Sequence, residues 1–282
     1  MKLFQAFRQR LPEHKYAINA ALLGDTSLLP WSNLGYWQIG QQDYVAACQA
    51  LADHLAATIH LNSKDKLLDL GCGQGASLLH WQQHYQVQYL AGVELQKTCV
   101  TKIQQHLPEL NAIYHASFLR LKDIHFPHKF DAVLCLDAAY HNSVPSLLEQ
   151  IVPVLNSKAR IGFHHLVLSE RWKTLNSFQK RKYQLLLKSA DVNLSDLMPL
   201  GTLYECLDQF EFTDVQVEDL SESVFAGFAR YVQQDLNSKK MVQSVKTSRL
   251  DEFKIQMTAK ICRKLFEEGV VRYVQISAKA KH

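Results

Sequence analysis

Eleven glycines are spread over 282 residues, yet three of them, Gly71, Gly73 and Gly75, fall within five positions. The run Leu68-Asp69-Leu70-Gly71-Cys72-Gly73-Gln74-Gly75 ends a short apolar stretch, residues 66–70, and opens a helical pattern over 74–85. A chain written this way turns sharply from a buried strand into a helix. Glycine adopts positive φ there at no steric cost and lets a ligand come close to the backbone. In open α/β sheets such turns lie at the carboxyl ends of strands, where ligands bind.

The neighbouring pattern agrees. Apolar runs at 66–70, 89–95, 111–116, 130–136 and 160–168 read as strands, and the segments 74–85, 97–107 and 144–155 between them as helices. Such alternation predicts a mostly parallel sheet covered on both faces. A helix over 44–59 precedes it, with Asp43 as its N-cap. Beyond 168 the spacing predicts helices at 170–188 and 197–209, a sixth strand at 214–220, helices over 223–268 and a seventh strand at 270–278. The expectation is an α/β, doubly wound, mostly parallel seven-stranded Rossmann-like sheet. Residues 1–60 form a helical lid segment, and 61–282 form the main domain with cap insertions at about 170–210 and 223–268.

Composition narrows the function classes. At 47% hydrophobic and 21% charged, the chain is neither disordered nor fibrous. Six cysteines stand at least 24 residues apart, and thirteen histidines show no close ligand spacing, so no metal site is expected. No apolar run approaches the roughly 20 residues of a membrane span, and the first fifteen residues are too polar for an export signal. A cytoplasmic protein without stable membrane insertion is expected. A net charge of +4 announces no nucleic-acid partner. From Arg171 to Lys188 there are six basic residues and no acid, either a solvated helix face or a rim that attracts anions.

Two acids refine the ligand. Glu94 stands nineteen residues after Gly75, at the end of the second strand, where a carboxylate can accept both hydroxyls of a ribose. The GxGxG spacing is neither the dinucleotide GxGxxG nor the phosphate loop, and no Lys-Ser/Thr follows it. Asp69, just before the loop, would repel a pyrophosphate and suits a ligand bearing an ammonium or sulfonium.

DLGCGxG followed by a strand-terminal Glu resembles motif I and the ribose acid of class I S-adenosylmethionine-dependent methyltransferases. The resemblance covers about residues 66–168. It implies S-adenosylmethionine as cofactor, with Gly71 and Gly73 along its methionine part and Asp69 on its amino group, directly or through water. It places Glu94 on the ribose and Leu95 and Gln96 beside the adenine, with Cys72 and Gly75 completing the loop. The usual acid after the third strand is replaced here by Ser117 and Phe118, a hydroxyl and a ring for the adenine.

After the fourth strand comes Leu136-Asp137-Ala138-Ala139-Tyr140-His141. It lacks [DN]PP[YF] and resembles the (D/E)AxxH stretch of enzymes acting on glycine betaine precursors, macrolide sugars and tocopherol-type phenols. Gly35-Tyr36-Trp37 resembles a GYW found in those families and in cyclopropane-fatty-acid synthases, where the N-terminal segment closes over the site. The resemblance implies methyl transfer to a small-molecule acceptor. Leu136 and Tyr36 would lie near the donor, and Trp37, Asp137, Tyr140 and His164 near the acceptor. His141 reads either as the general base or as a loop histidine holding a structural bond, and His164 and His165 as core histidines or as groups reaching the site. A non-catalytic partner protein and a cyclopropane synthase-like lipid modification stay open, as does the choice between monomer and homodimer.

Overall fold

The computed structural model describes residues 19–41, 43–238 and 249–281. The parts of the expected lid over 1–18 and of the second insertion over 239–248 lie outside the described residues.

Eight strands form one sheet: β1 (Lys66–Leu70), β2 (Tyr89–Glu94), β3 (Ala112–His115), β4 (Phe130–Cys135), β5 (Leu155–Leu168), β6 (Met198–Pro199), β7 (Phe212–Asp219) and β8 (Val271–Ala280). Their order is β3-β2-β1-β4-β5-β8-β7, with β6 added beside the end of β5. β1 to β6 pair in parallel, and β8 runs antiparallel between β5 and β7. The chain leaves β1 toward β2 and later returns to β1's other side as β4, so the crevice between the ends of β1 and β4 is the topological switch point.

Helices cover both faces: α1 (Tyr44–Thr58), α2 (Ala76–His80), α3 (Lys97–His106), α4 (Val144–Ile151), α5 (Arg171–Thr174), α6 (Ser177–Ser189), α7 (Leu200–Gln209), α8 (Gly227–Ser238) and α9 (Arg249–Glu268). Neighbouring side chains of β1 point to opposite faces. Leu67 packs into the core under α1 and α9, and Leu68 into the core under α4 and α7. The antiparallel β8 carries Tyr273 to the first core and Val274 to the second.

Elements differ from the sequence expectation where a single residue interrupts the period. The expected helix 74–85 starts only at Ala76, because Gly75 is left-handed at φ +95°. It loosens into a π turn at Trp81–Tyr85 and stops at Gln86, also left-handed. The expected basic helix breaks at Asn176, whose side chain accepts the Gln179 N–H while Gln179 caps back, two orphan donors satisfied together. Pro199 delays the next helix to Leu200, and the freed Met198–Pro199 becomes β6, one strand more than the seven expected. The exposed lysines and arginines of α5 and α6 face solvent.

Gly75 is also where α2 meets α3: a Cβ there would stand 2.7 Å from Ile103 Cγ1. Gly75→Ala combines a left-handed penalty with that collision, so a loss of about 1–3 kcal/mol is expected. It should appear as a lower urea midpoint at unchanged slope; an unshifted midpoint would show that the loop relaxes freely.

Candidate active site

The glycine loop is pinned to the sheet by the Gly71 N–H, which donates to the Val93 carbonyl at 2.8 Å. Beyond it opens a cavity of about 1450 Å³. Gly71 and Gly73 form part of its floor. A Cβ on Gly71 would lie 3.0 Å from Ala138 Cβ, and one on Gly73 would lie 3.0 Å from Ser32 Oγ. The missing side chains are what keep this floor open.

Glu94 ends β2 against the same loop. One carboxylate oxygen accepts the Gly73 N–H at 2.9 Å and the other the Gln96 N–H at 2.7 Å. Two backbone donors therefore fix the plane of an acid that lines the cavity. Leu95, Gln96, Ser117, Phe118 and Leu136 line it beside Glu94. Ser117 also caps the following turn by accepting the Leu119 N–H.

Asp69 lies behind the loop, fully buried and outside the cavity lining. Its Oδ2 accepts the Trp81 indole N–H at 2.8 Å, and Oδ1 is sealed without a hydrogen-bond partner. Burial pushes its carboxyl up to about 6, opposed by the nearby Ser77 hydroxyl and the Trp81 indole N–H. Cys72 and Gly75 face inward too. The Cys72 thiol points at the Val93 carbonyl, and burial raises it well above the ordinary thiol range, which leaves it inert.

Asp137 follows β4 in the left-handed region, at φ +53°. Its Oδ2 accepts the Leu34 N–H at 2.9 Å, and its Oδ1 accepts the Tyr273 hydroxyl at 2.7 Å. Burial pushes this carboxyl up to about 6, opposed by those bonds and one from Tyr140. The Asp137 N–H donates to His164 Nδ1 at 3.2 Å, which makes Nε2 the protonated nitrogen facing Gln275 Oε1 at 3.1 Å. His164 is thereby a buried neutral support, lowered to about 3 by desolvation and outside the cavity lining.

His141 lines the cavity beside Tyr140. Its Nδ1 lies 3.0 Å from the Asp191 carbonyl. A carbonyl only accepts, so Nδ1 carries a proton and, in the neutral ring, Nε2 is the acceptor nitrogen.

Tyr36 and Trp37 turn away from the cavity. Tyr36 stacks on His54 at 4.9 Å, and Trp37 stacks on Tyr231 at 4.4 Å with its indole N–H on the Leu34 carbonyl. From that segment the residues at the cavity are Asn33 and Leu34. Sequence reasoning missed several walls: the turn 25–32, tied by the buried Asp25 to the Ser27 and Trp31 N–H groups, the loop after α6, Tyr273, and one side of α9. Only α9 left a readable signal, an apolar residue every fourth position from Phe253 to Leu265.

Residues 67–158 match the protein family described as "Methyltransferase domain". The match spans about a third of the chain, from β1 into β5. The erythromycin 3''-O-methyltransferase of Saccharopolyspora erythraea is 30% identical over 112 residues, 39% of this chain and 37% of that protein, so the chain spans little more than a third of that curated relative. Solved structures that share the fold over nearly the whole chain include two enzymes. One is a cyclopropane synthase from Mycobacterium tuberculosis (TM-score 0.68, 16% identity, 94% of this chain and 100% of that one). The other is the geranyl diphosphate C-methyltransferase of Streptomyces coelicolor A3(2), solved with Mg2+, geranyl-S-thiolodiphosphate and S-adenosyl-L-homocysteine (TM-score 0.70, 13% identity, 97% and 95% covered). The matched segment contributes the glycine loop, Glu94, Asp137 and His141, while the turn 25–32, the loop after α6, Tyr273 and α9 lie outside it.

The Asp69 shift has a measurable sign. The folded state holds this proton more tightly than the unfolded chain, so the stability it contributes is full below about pH 4 and is lost as the pH rises through 6. Between about pH 4 and pH 7 the wild type should lose up to about 3 kcal/mol more than Asp69→Asn. Urea melts at both pH values check this; parallel losses would mean that Asp69 titrates alike in both states.

Proposed function

We propose that the protein transfers a methyl group from S-adenosylmethionine to a small-molecule acceptor. The observation that carries the reading is the meeting of Glu94 with the open glycine floor at the switch point. The charge of the cavity supports it: among the described lining residues five are carboxylates and one, Lys254, is a permanent cation. Such a lining suits a sulfonium and an ammonium and offers no cluster of cations for a pyrophosphate. Gly71 and Gly73 would hold the methionine part, Glu94 the ribose, and Gln96, Ser117 and Phe118 the base. When bound, the donor supplies an electrophilic methyl group open to in-line displacement.

The chain's own residues then do two things. Asp137 holds Leu34, Tyr140 and Tyr273 around the space beside the loop, so an acceptor meets a preformed wall; positioning supplies much of such an acceleration. His141, with Nδ1–H committed to Asp191, receives the acceptor's proton at Nε2 as its lone pair attacks. No described helix is long and apolar enough to cross a membrane.

Calorimetry with S-adenosylhomocysteine tests the donor site, and absence of heat at millimolar ligand would sink the reading. Glu94→Gln should weaken that binding at least about tenfold, the worth of a charge-assisted hydrogen bond. Unchanged affinity would take Glu94 off the ribose. With an acceptor in hand, His141→Asn should lower kcat about a hundredfold at unchanged donor affinity; an unaltered pH–rate profile would remove it as the base.

A further inference from the structure

The cavity is larger than one ligand needs. Pockets for drug-sized molecules run to about 1,000 Å³, and this one reaches about 1450 Å³. The surplus lies along α9. Phe253, Met257, Ile261 and Leu265 all line the cavity and repeat every fourth residue, so they form one row along the helix. Their exposure falls along the row from 60% at Phe253 and 38% at Met257, through the half-buried Ile261, to 3% at Leu265. Twelve residues of helix make this track about 18 Å long. Leu187 and Val192 supply apolar surface to the same cavity.

The inner end of the track arrives at the reacting centre. Cys262, next to Ile261, lines the cavity together with Asp137, Tyr140 and Tyr273. The outer end reaches solvent through Phe253, a large apolar side chain left uncovered. No chemistry assigned above uses this row.

We infer that the acceptor is an elongated, mostly apolar molecule without negative charge. It lies along Phe253, Met257, Ile261 and Leu265 with its reactive hydroxyl or amine at Tyr140 and His141. The charge limit follows from the carboxylates that share the cavity. The inference rests on the methyl-transfer reading for what happens at the inner end, but the track itself is testable apart from the donor.

The probes are hexanol, octanol, decanol and dodecanol, titrated against the full-length protein by displacement of the fluorescent apolar amine N-phenylnaphthylamine. Affinity should rise about threefold to fourfold per methylene, decyltrimethylammonium should bind about as well as decanol, and decanoate at least about tenfold more weakly. Met257→Asp and Phe253→Asp, at exposed positions, should remove the gain for the longer alcohols and leave S-adenosylhomocysteine affinity unchanged, while Met257→Leu should keep both. Affinity independent of chain length, or decanoate binding as tightly as decanol, would overturn the inference. S-adenosylhomocysteine calorimetry separates the two readings. Donor heat with no chain-length dependence defeats the apolar track alone. A chain-length dependence with no donor heat defeats methyl transfer and leaves the track standing.

Discussion

The carboxylate of Asp137 joins parts of the chain that are more than a hundred residues apart. Its oxygens take the Leu34 N–H and the Tyr273 hydroxyl, and its own N–H rests on His164. The N-terminal segment, the last strand and the end of β4 are thereby locked around one buried group. A carboxylate withdrawn from water is costly unless its hydrogen bonds are made. Each partner must therefore be in place for the others to be stable, and the wall beside the glycine loop is built as one unit. The left-handed backbone at Asp137 is part of that arrangement, because surrounding bonds hold it there.

A division of labour among like residues follows. Gly71 and Gly73 keep space open for a ligand, whereas Gly75 gives way to Ile103 so that α2 can pack on α3. Glu94 faces the cavity and Asp69 turns its back on it. The buried Asp69 instead fastens the following helix through Trp81. The histidines divide in the same way. His164 is sealed in the core as a neutral relay, while His141 stands at the cavity with its tautomer set by a carbonyl.

β1, β2 and β4 were legible because each is a short apolar run closed by a glycine, an acid or a polar turn, and buried parallel strands need little else; β5 starts at Leu155, ahead of the expected 160, and the two-residue β6 carries no such run. β1 was read to the residue at both ends. Helix boundaries read less well where a local device outweighed the periodicity: the Asn176–Gln179 capping box, Pro199, and the π turn after His80. At the site, the loop and Glu94 stood out because their chemistry depends on close sequence spacing. Tyr36 and Trp37 also sit in a motif close to the loop, yet neither ring lines the cavity. A motif near the site fixes where the backbone runs, and the packing of Tyr231 and His54 decided where the rings went.

By itself the sequence determined the doubly wound core, the floor of glycines and the acid facing it, since these are set by backbone conformation and by spacing within one strand–loop–helix–strand unit. Only the tertiary structure decided what stands opposite that floor. The turn 25–32, the loop after α6, Tyr273 and the row on α9 come from segments that share no local pattern. They meet because burying their apolar faces and the Asp137 carboxylate is favourable in one arrangement, and that arrangement is a property of the whole chain.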